Sequence, residues 1–237
     1  MISEKTGDRW QPSEPSLLSR ILPKYMILPL IILIVGDLLA YYGPRYINLF
    51  LGRSYVDMSC MIDDKITVIP GFVFIYVLAF PFWYLITYYY LRLGREQALR
   101  FSLSNIGAKM LCAAIFVILP SALVRPMLSG ETPSIRLLGL IYSNDAPNNL
   151  FPSIHCLESW FCFRCLWDEK KVPLLFKAFS LVFALLICAS TVLTKQHVLL
   201  DIPAGILVAE VFWRVNSLHL LRRLTRAAKD LVALIRG

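Results

Sequence analysis

The chain has 237 residues, of which 57% are hydrophobic and only 17% charged, and its mean hydropathy is +0.63. Soluble domains carry about 25% charged residues and roughly 45–50% apolar ones, so this balance excludes a water-soluble globule. The shortage of charge also excludes a disordered chain. At about 20 residues per span, the length accommodates roughly six membrane helices with short loops. The sequence therefore predicts an all-α, polytopic membrane protein of six transmembrane helices with a C-terminal amphipathic helix.

In chain order, residues 1–24 are polar and Pro-containing and read as a cytoplasmic N-terminal segment. A membrane domain over 25–216 follows. Tyr25 to Gly43 is apolar except for Asp37 and reads as a retained first span, since a signal peptide would have a shorter apolar core and a small-residue cleavage site. Ile66 to Leu91 is uncharged, though it holds Pro70 and Pro81, and makes the second span. Met110 to Val124, between Lys109 and Arg125, makes the third. A loop of Ser, Gly, Pro and Asn ends at Asn148, Asn149, Leu150 and Phe151. Pro152 to about Leu166 is a shorter fourth span, Ala178 to Thr194 the fifth, and His197 to about Val215 the sixth, carrying Asp201 and Glu210. The tail, 217–237, sets Leu220, Leu224 and Leu231 against Arg222, Arg223, Arg226 and Lys229 at helical spacing. That pattern suits an amphipathic helix on an anionic membrane surface, or equally one packed on the protein's own cytoplasmic face.

The formal net charge is +8, which could point to nucleic acid, anionic lipid or membrane topology. No Lys/Arg cluster is interleaved with stacking aromatics, so no nucleic-acid partner is expected. Topology accounts for the charge better. With the N-terminus, the 92–109 and 164–177 loops and the tail on one side, that side holds 18 of the 24 Lys and Arg. The positive-inside rule makes it cytoplasmic. Five of the six cysteines lie in apolar stretches, and the Cys162/Cys165 pair falls inside a span without thioredoxin-like context, so packing rather than redox chemistry is expected.

Unusual residues gather on the opposite, extracytoplasmic face. Arg125-Pro126 closes the third span, Phe151-Pro152-Ser153-Ile154-His155 opens the fourth, Ser190-Thr191 ends the fifth, and Lys195-Gln196-His197 with Asp201 opens the sixth. His197 and Asp201 are four apart, so on a helix they share a face. Asp201 would then fix the His197 tautomer and stabilise its cation. His155 could protonate a leaving oxygen. Pro152 suits a first helical turn, whose free N–H groups around Ser153, Ile154 and His155 favour an anion. Arg125 and Lys195 add positive charge for phosphate oxygens. A zinc site would need three or four ligands, which the cysteines are not placed to supply, and no Gly-rich nucleotide loop is present. No metal and no soluble cofactor is expected. Each group alone has a structural explanation, but ionisable residues at membrane depth are functional by default, and their convergence points to phosphoryl transfer.

The order Arg-Pro, Pro-Ser-x-His, Ser-x6-His-x3-Asp resembles the type 2 phosphatidic acid phosphatase (lipid phosphate phosphatase) superfamily over about 108–205. The resemblance implies a six-helix membrane core and metal-independent transfer through a phosphohistidine. By motif, Arg125 matches the first-motif arginine, Ser153 and His155 the phosphate-binding serine and acid histidine, His197 the nucleophile and Asp201 its partner. Ile118, Ile154 and Thr191 stand where the family usually has Lys, Gly and Arg. This looser pattern is similar to the branch of inositol-phosphotransferases and sphingomyelin synthases. The expected partners are membrane lipids and a phosphorylated or diphosphorylated lipid substrate. The expected activity is a lipid-phosphate phosphatase, with head-group phosphotransfer as the alternative and a non-catalytic transporter or scaffold as the third reading, supported by Asp37, Glu158 and Glu210 within spans.

Overall fold

The structure is a computed structural model that describes residues 17–215; most of the polar N-terminal segment and the whole amphipathic tail lie outside the described residues. A short helix α1 (Leu17–Ile21) precedes α2 (Lys24–Phe50), which runs 27 residues through Pro29 and Pro44. Prolines are tolerated in membrane helices where neighbouring elements satisfy the freed carbonyls. A strand β1 (Val56–Asp57) and a one-turn helix α3 (Met61–Lys65) follow. Pro70 then opens a tight turn that leads directly into α4 (Val73–Arg92), where its missing N–H costs nothing.

The third long helix departs from the expected boundaries. α5 (Arg95–Ile118) takes in most of the predicted 92–109 loop and stops short of Val124. Its charged residues interrupt the apolar run but not the helical period: Ala98, Phe101, Asn105, Ala108, Cys112 and Phe116 are buried at spacings of three and four. Lys109 is thus inside the bundle, not at its cytoplasmic edge.

The segment expected to be a plain loop also differs. After β2 (Ser121–Ala122), which pairs in parallel with β1 through Val56–Ser121 and Asp57–Ala122, the chain forms α6 (Pro133–Asn144). Thr132 caps it by accepting from the Ile135 N–H, with Pro133 in the first turn. Then come α7 (Ile154–Asp168), α8 (Leu174–Leu193) and α9 (Asp201–Val215). The sixth helix therefore starts at Asp201, and His197 lies before it.

Among the described residues, four helices are long and apolar enough to cross a membrane: α2, α4 with its leading turn, α5 and α8. At 15 residues each, α7 and α9 rise about 22 Å, less than the roughly 30 Å hydrocarbon core. They are the inner helices, with Phe161, Cys162, Leu166, Ala209 and Trp213 in one core with Tyr90 and Phe101. The outward faces are apolar as well: Ile27, Ile31, Leu38, Leu85, Leu175 and Val182 are all exposed. A surface as apolar as the core is that of a membrane protein. One end of the bundle is tied by charge, with Asp168 bridging Arg100 and Arg164 and Glu210 bridging Arg164 and Arg214. Glu210, an unusual charge within a predicted span, is ion-paired there and also accepts from the Trp160 indole N–H. At the other end lie α3, α6, the strand pair and both histidine-bearing segments. α2 packs along α5 and barely touches α4, which leaves a wide gap on one flank.

Candidate active site

That gap is part of a cavity of about 920 Å³ lined by both His155 and His197. Two helix ends deliver them. Ser153 is the N-cap of α7 and accepts from the Cys156 N–H at 3.3 Å, which places Ile154 and His155 in the first turn. Pro152 is one residue outside the helix, not in its first turn. The Ser153 N–H donates to the Asp201 carbonyl at 3.3 Å, so the starts of α7 and α9 are fastened together. Gly205 permits this approach, because a methyl group there would run into the Ser153 carbonyl oxygen.

His197 comes from the end of α8. The helix closes with Lys195 in the left-handed region at φ +49°, its N–H donating to Val192 O and that of Gln196 to Thr191 O. Those two bonds define a Schellman motif. Lys195 takes the position usually given to glycine and anchors it by donating from Nζ to the Asp63 carbonyl at 2.5 Å. Asp63 itself accepts from the Leu199 N–H at 2.7 Å and the Cys60 N–H at 2.9 Å. The turn holding His197 is therefore clamped to α3, more than 130 residues away.

His197 Nδ1 lies 2.9 Å from Asp201 Oδ2, which also accepts from the Val198 N–H at 3.1 Å. A carboxylate only accepts, so Nδ1 carries the proton and Nε2 keeps its lone pair. The pairing expected from the spacing is present, formed across a turn and a helix start rather than along a helix. Burial by itself favours the neutral ring, but the hydrogen bond and charge of Asp201 outweigh it and lift His197 above the ordinary histidine range. The His155 ring stacks on Tyr76 with centroids 4.5 Å apart, meets Trp83 edge-on at 5.1 Å, and has its centroid 5.9 Å from that of His197. Its Nε2 is buried with no hydrogen-bond partner among the described residues.

The remaining predicted residues are placed less directly. Ile154 lines the cavity; Ser153 is fully buried behind it. Arg125 lies outside the third helix and stacks on Tyr142 with its guanidinium 4.6 Å from the ring centroid. It donates to the Asp145 carbonyl at 2.6 Å and to the Gln196 side chain, and Gln196 is the residue that reaches the cavity. Burial pulls the Arg125 guanidinium somewhat below its usual range, with Asp145 opposing. Lys195 lines a separate polar cavity of about 110 Å³ on another side of His197, with Asp57, Asp63 and Asp64. Among the described residues, no three His, Cys, Asp or Glu side chains come together to hold a metal ion.

Several lining residues carry no motif: Tyr76, Gln196, Arg45 and Lys109. Lys109 and Arg45 are the cations that face the main cavity directly. Lys109 was hidden by its position at the edge of an apolar run, whereas Tyr76 has no signal within an aromatic-rich helix.

Residues 123–223 match the model of the PAP2 superfamily. No curated protein and no solved structure matches the chain.

Proposed function

We propose that this membrane protein, whose residues 123–223 match the PAP2 superfamily, is a lipid-phosphate phosphatase working through a phosphohistidine at His197. The observation that carries the reading is the facing pair His155 and His197, with Asp201 behind the latter, on the wall of a largely apolar cavity.

His197 Nε2 attacks phosphorus and its bond to the leaving lipid oxygen breaks. His155 gives that oxygen its proton, so the lipid leaves as an alcohol. Asp201 holds the attacking tautomer and balances the charge that develops on the ring. Water then attacks the phosphohistidine, His155 takes the water's proton, and phosphate leaves as the N–P bond breaks. The phosphate anion between the rings favours the protonated form of His155. The N–H groups of Ile154 and His155, in the first turn of α7, have no intrahelical acceptor and point a helix N-terminus at the anion. Arg125 acts through Gln196, and Lys195 through the turn it anchors.

The charge distribution of the loops supports cytoplasmic termini, with the site on the extracytoplasmic face, lumenal in a eukaryotic host. The test is phosphate release by the purified full-length chain in detergent with EDTA present, from phosphatidate, polyprenyl diphosphate and phosphatidylglycerol phosphate. Release that survives EDTA and disappears in His197→Ala is expected. Undiminished release by His197→Ala would overturn the reading. Transfer of the head group to an added lipid alcohol with no phosphate release would replace hydrolysis by phosphotransfer.

A further inference from the structure

Gln196 stands between the Lys195 turn and His197, and no motif points to it. Its backbone N–H donates to the Thr191 carbonyl at 2.8 Å, and the next N–H, that of His197, donates to the same carbonyl at 3.1 Å. One acceptor near the end of α8 thus fixes both residues. Gln196 lines the cavity that His155 and His197 share, yet it is only 2% exposed.

Arg125 decides which way the Gln196 amide faces. The guanidinium stacks on Tyr142, whose hydroxyl donates to the Thr194 carbonyl at 2.8 Å, so it is fastened to the same turn. Its Nη1 donates to the Asp145 carbonyl at 2.6 Å and its Nη2 to Gln196 Oε1. A guanidinium has only donors, so the amide oxygen must face it and the amide NH2 must face away. Arg125 does not line the cavity itself. Gln196 Nε2 is buried and has no acceptor among the described residues. A buried donor without an acceptor is costly, and a ligand in the cavity is what can supply one. His155 Nε2, also buried and unpartnered among the described residues, belongs to the lining of the same cavity.

We propose that Gln196 is a catalytic hydrogen-bond donor. Its Nε2 donates to a non-bridging phosphoryl oxygen as His197 attacks, and Arg125 is the positioning residue that orients and polarises the amide. This rests on the reading of His155 and His197 as the phosphate site. A fixed donor aimed at an oxygen that gains charge in the transition state lowers the barrier more than it tightens substrate binding. Because Arg125 acts through the amide, its effect requires the amide to be present.

Two variants and two readouts test this in the full-length protein in detergent. Gln196→Met removes the donor at similar length. Gln196→Glu keeps the contact with Arg125 but turns an acceptor toward the phosphate. Each should lower kcat for phosphate release about a hundredfold, with KM changed by less than about threefold. Arg125→Met should also lower kcat, but added to Gln196→Met it should cost less than about twofold more. Orthovanadate takes the trigonal-bipyramidal geometry of the transferring phosphorus and needs no turnover. By vanadium NMR, either Gln196 variant should bind it at least about tenfold more weakly than wild type. If Gln196→Met fails to fold, Gln196→Glu decides the outcome. Unchanged kcat in the variants, vanadate bound equally by all three proteins or not at all by wild type, or losses from Arg125→Met and Gln196→Met that multiply, would each overturn the donor role. Weaker vanadate binding in the variants, with no phosphate release by wild type from any lipid, keeps the donor and removes the phosphatase reading. Release that Gln196→Met leaves intact does the reverse.

Discussion

Tyr76 lies nearly parallel to His155, with ring centroids 4.5 Å apart and planes inclined by 21°. Tyr76 is 4% exposed, so its ring is fixed by the bundle and in turn fixes the imidazole. Tyr76→Phe should leave phosphate release nearly unchanged, while Tyr76→Ala should lower kcat about a hundredfold with a smaller effect on KM, as expected when a proton donor loses its position. Comparing the two variants by steady-state kinetics checks this. Equal losses would mean that the hydroxyl, not the ring, matters.

The His197–Asp201 pair predicts a pH profile. In the proposed mechanism His197 must be neutral to attack, and Asp201 raises the ring above the ordinary histidine value near 6.5. Activity should therefore rise with pH through a midpoint above that value. Asp201→Asn keeps a hydrogen-bond partner but removes the charge, so the acid limb should move to lower pH while kcat drops about a thousandfold or more. An acid limb that does not move would separate His197 from the titration.

Asp63 predicts how the turn carrying His197 responds to acid. Burial alone would raise its carboxyl, but hydrogen bonds from Cys60 and Leu199 and the nearby Lys195 charge hold it below the ordinary carboxylate range. Its folded value is depressed, so its contribution to stability is present above the unfolded value near 3.9 and is lost as pH falls through the folded one. Asp63→Asn should lower the detergent-solubilised Tm at neutral pH, and the gap from wild type should close toward pH 3. A gap that is constant with pH would contradict the assignment.

Much of the site was legible because its residues sit at helix ends, where sequence carries local signals. Pro152 announces a helix start, which the fold sets two residues later with Ser153 as the cap, and the His197-Asp201 spacing announces a contact. That contact forms, but across a turn and a helix start rather than along one helix. A Schellman turn with lysine in place of glycine gives no warning, because Lys195 is held there by Asp63, far away in sequence. The directions of Arg125 and Lys195 were illegible for the same reason, since each is set by a distant acceptor. Lys109 illustrates a different failure: hydropathy ended the span at a charge that the fold neutralises with Asp37 and Glu158.

Cys60 offers a test of orientation without mutation. It is exposed, and the other five cysteines are buried. Because it lies beside α3 at the same end as His197, an impermeant maleimide added to intact cells should label the wild-type chain and not Cys60→Ser. Labelling that requires lysis would put the site on the cytoplasmic side.

The covalent intermediate is the most direct test of the account. The full-length protein should be mixed with phosphatidate carrying a radioactive phosphate, quenched in alkali after milliseconds, and digested for peptide mapping. A phosphohistidine mechanism predicts a phosphoryl group on His197 that survives alkali, is lost in acid, forms in the presence of EDTA and is absent from His197→Ala. Rapid turnover with no adduct, or an adduct on any other residue, would contradict it.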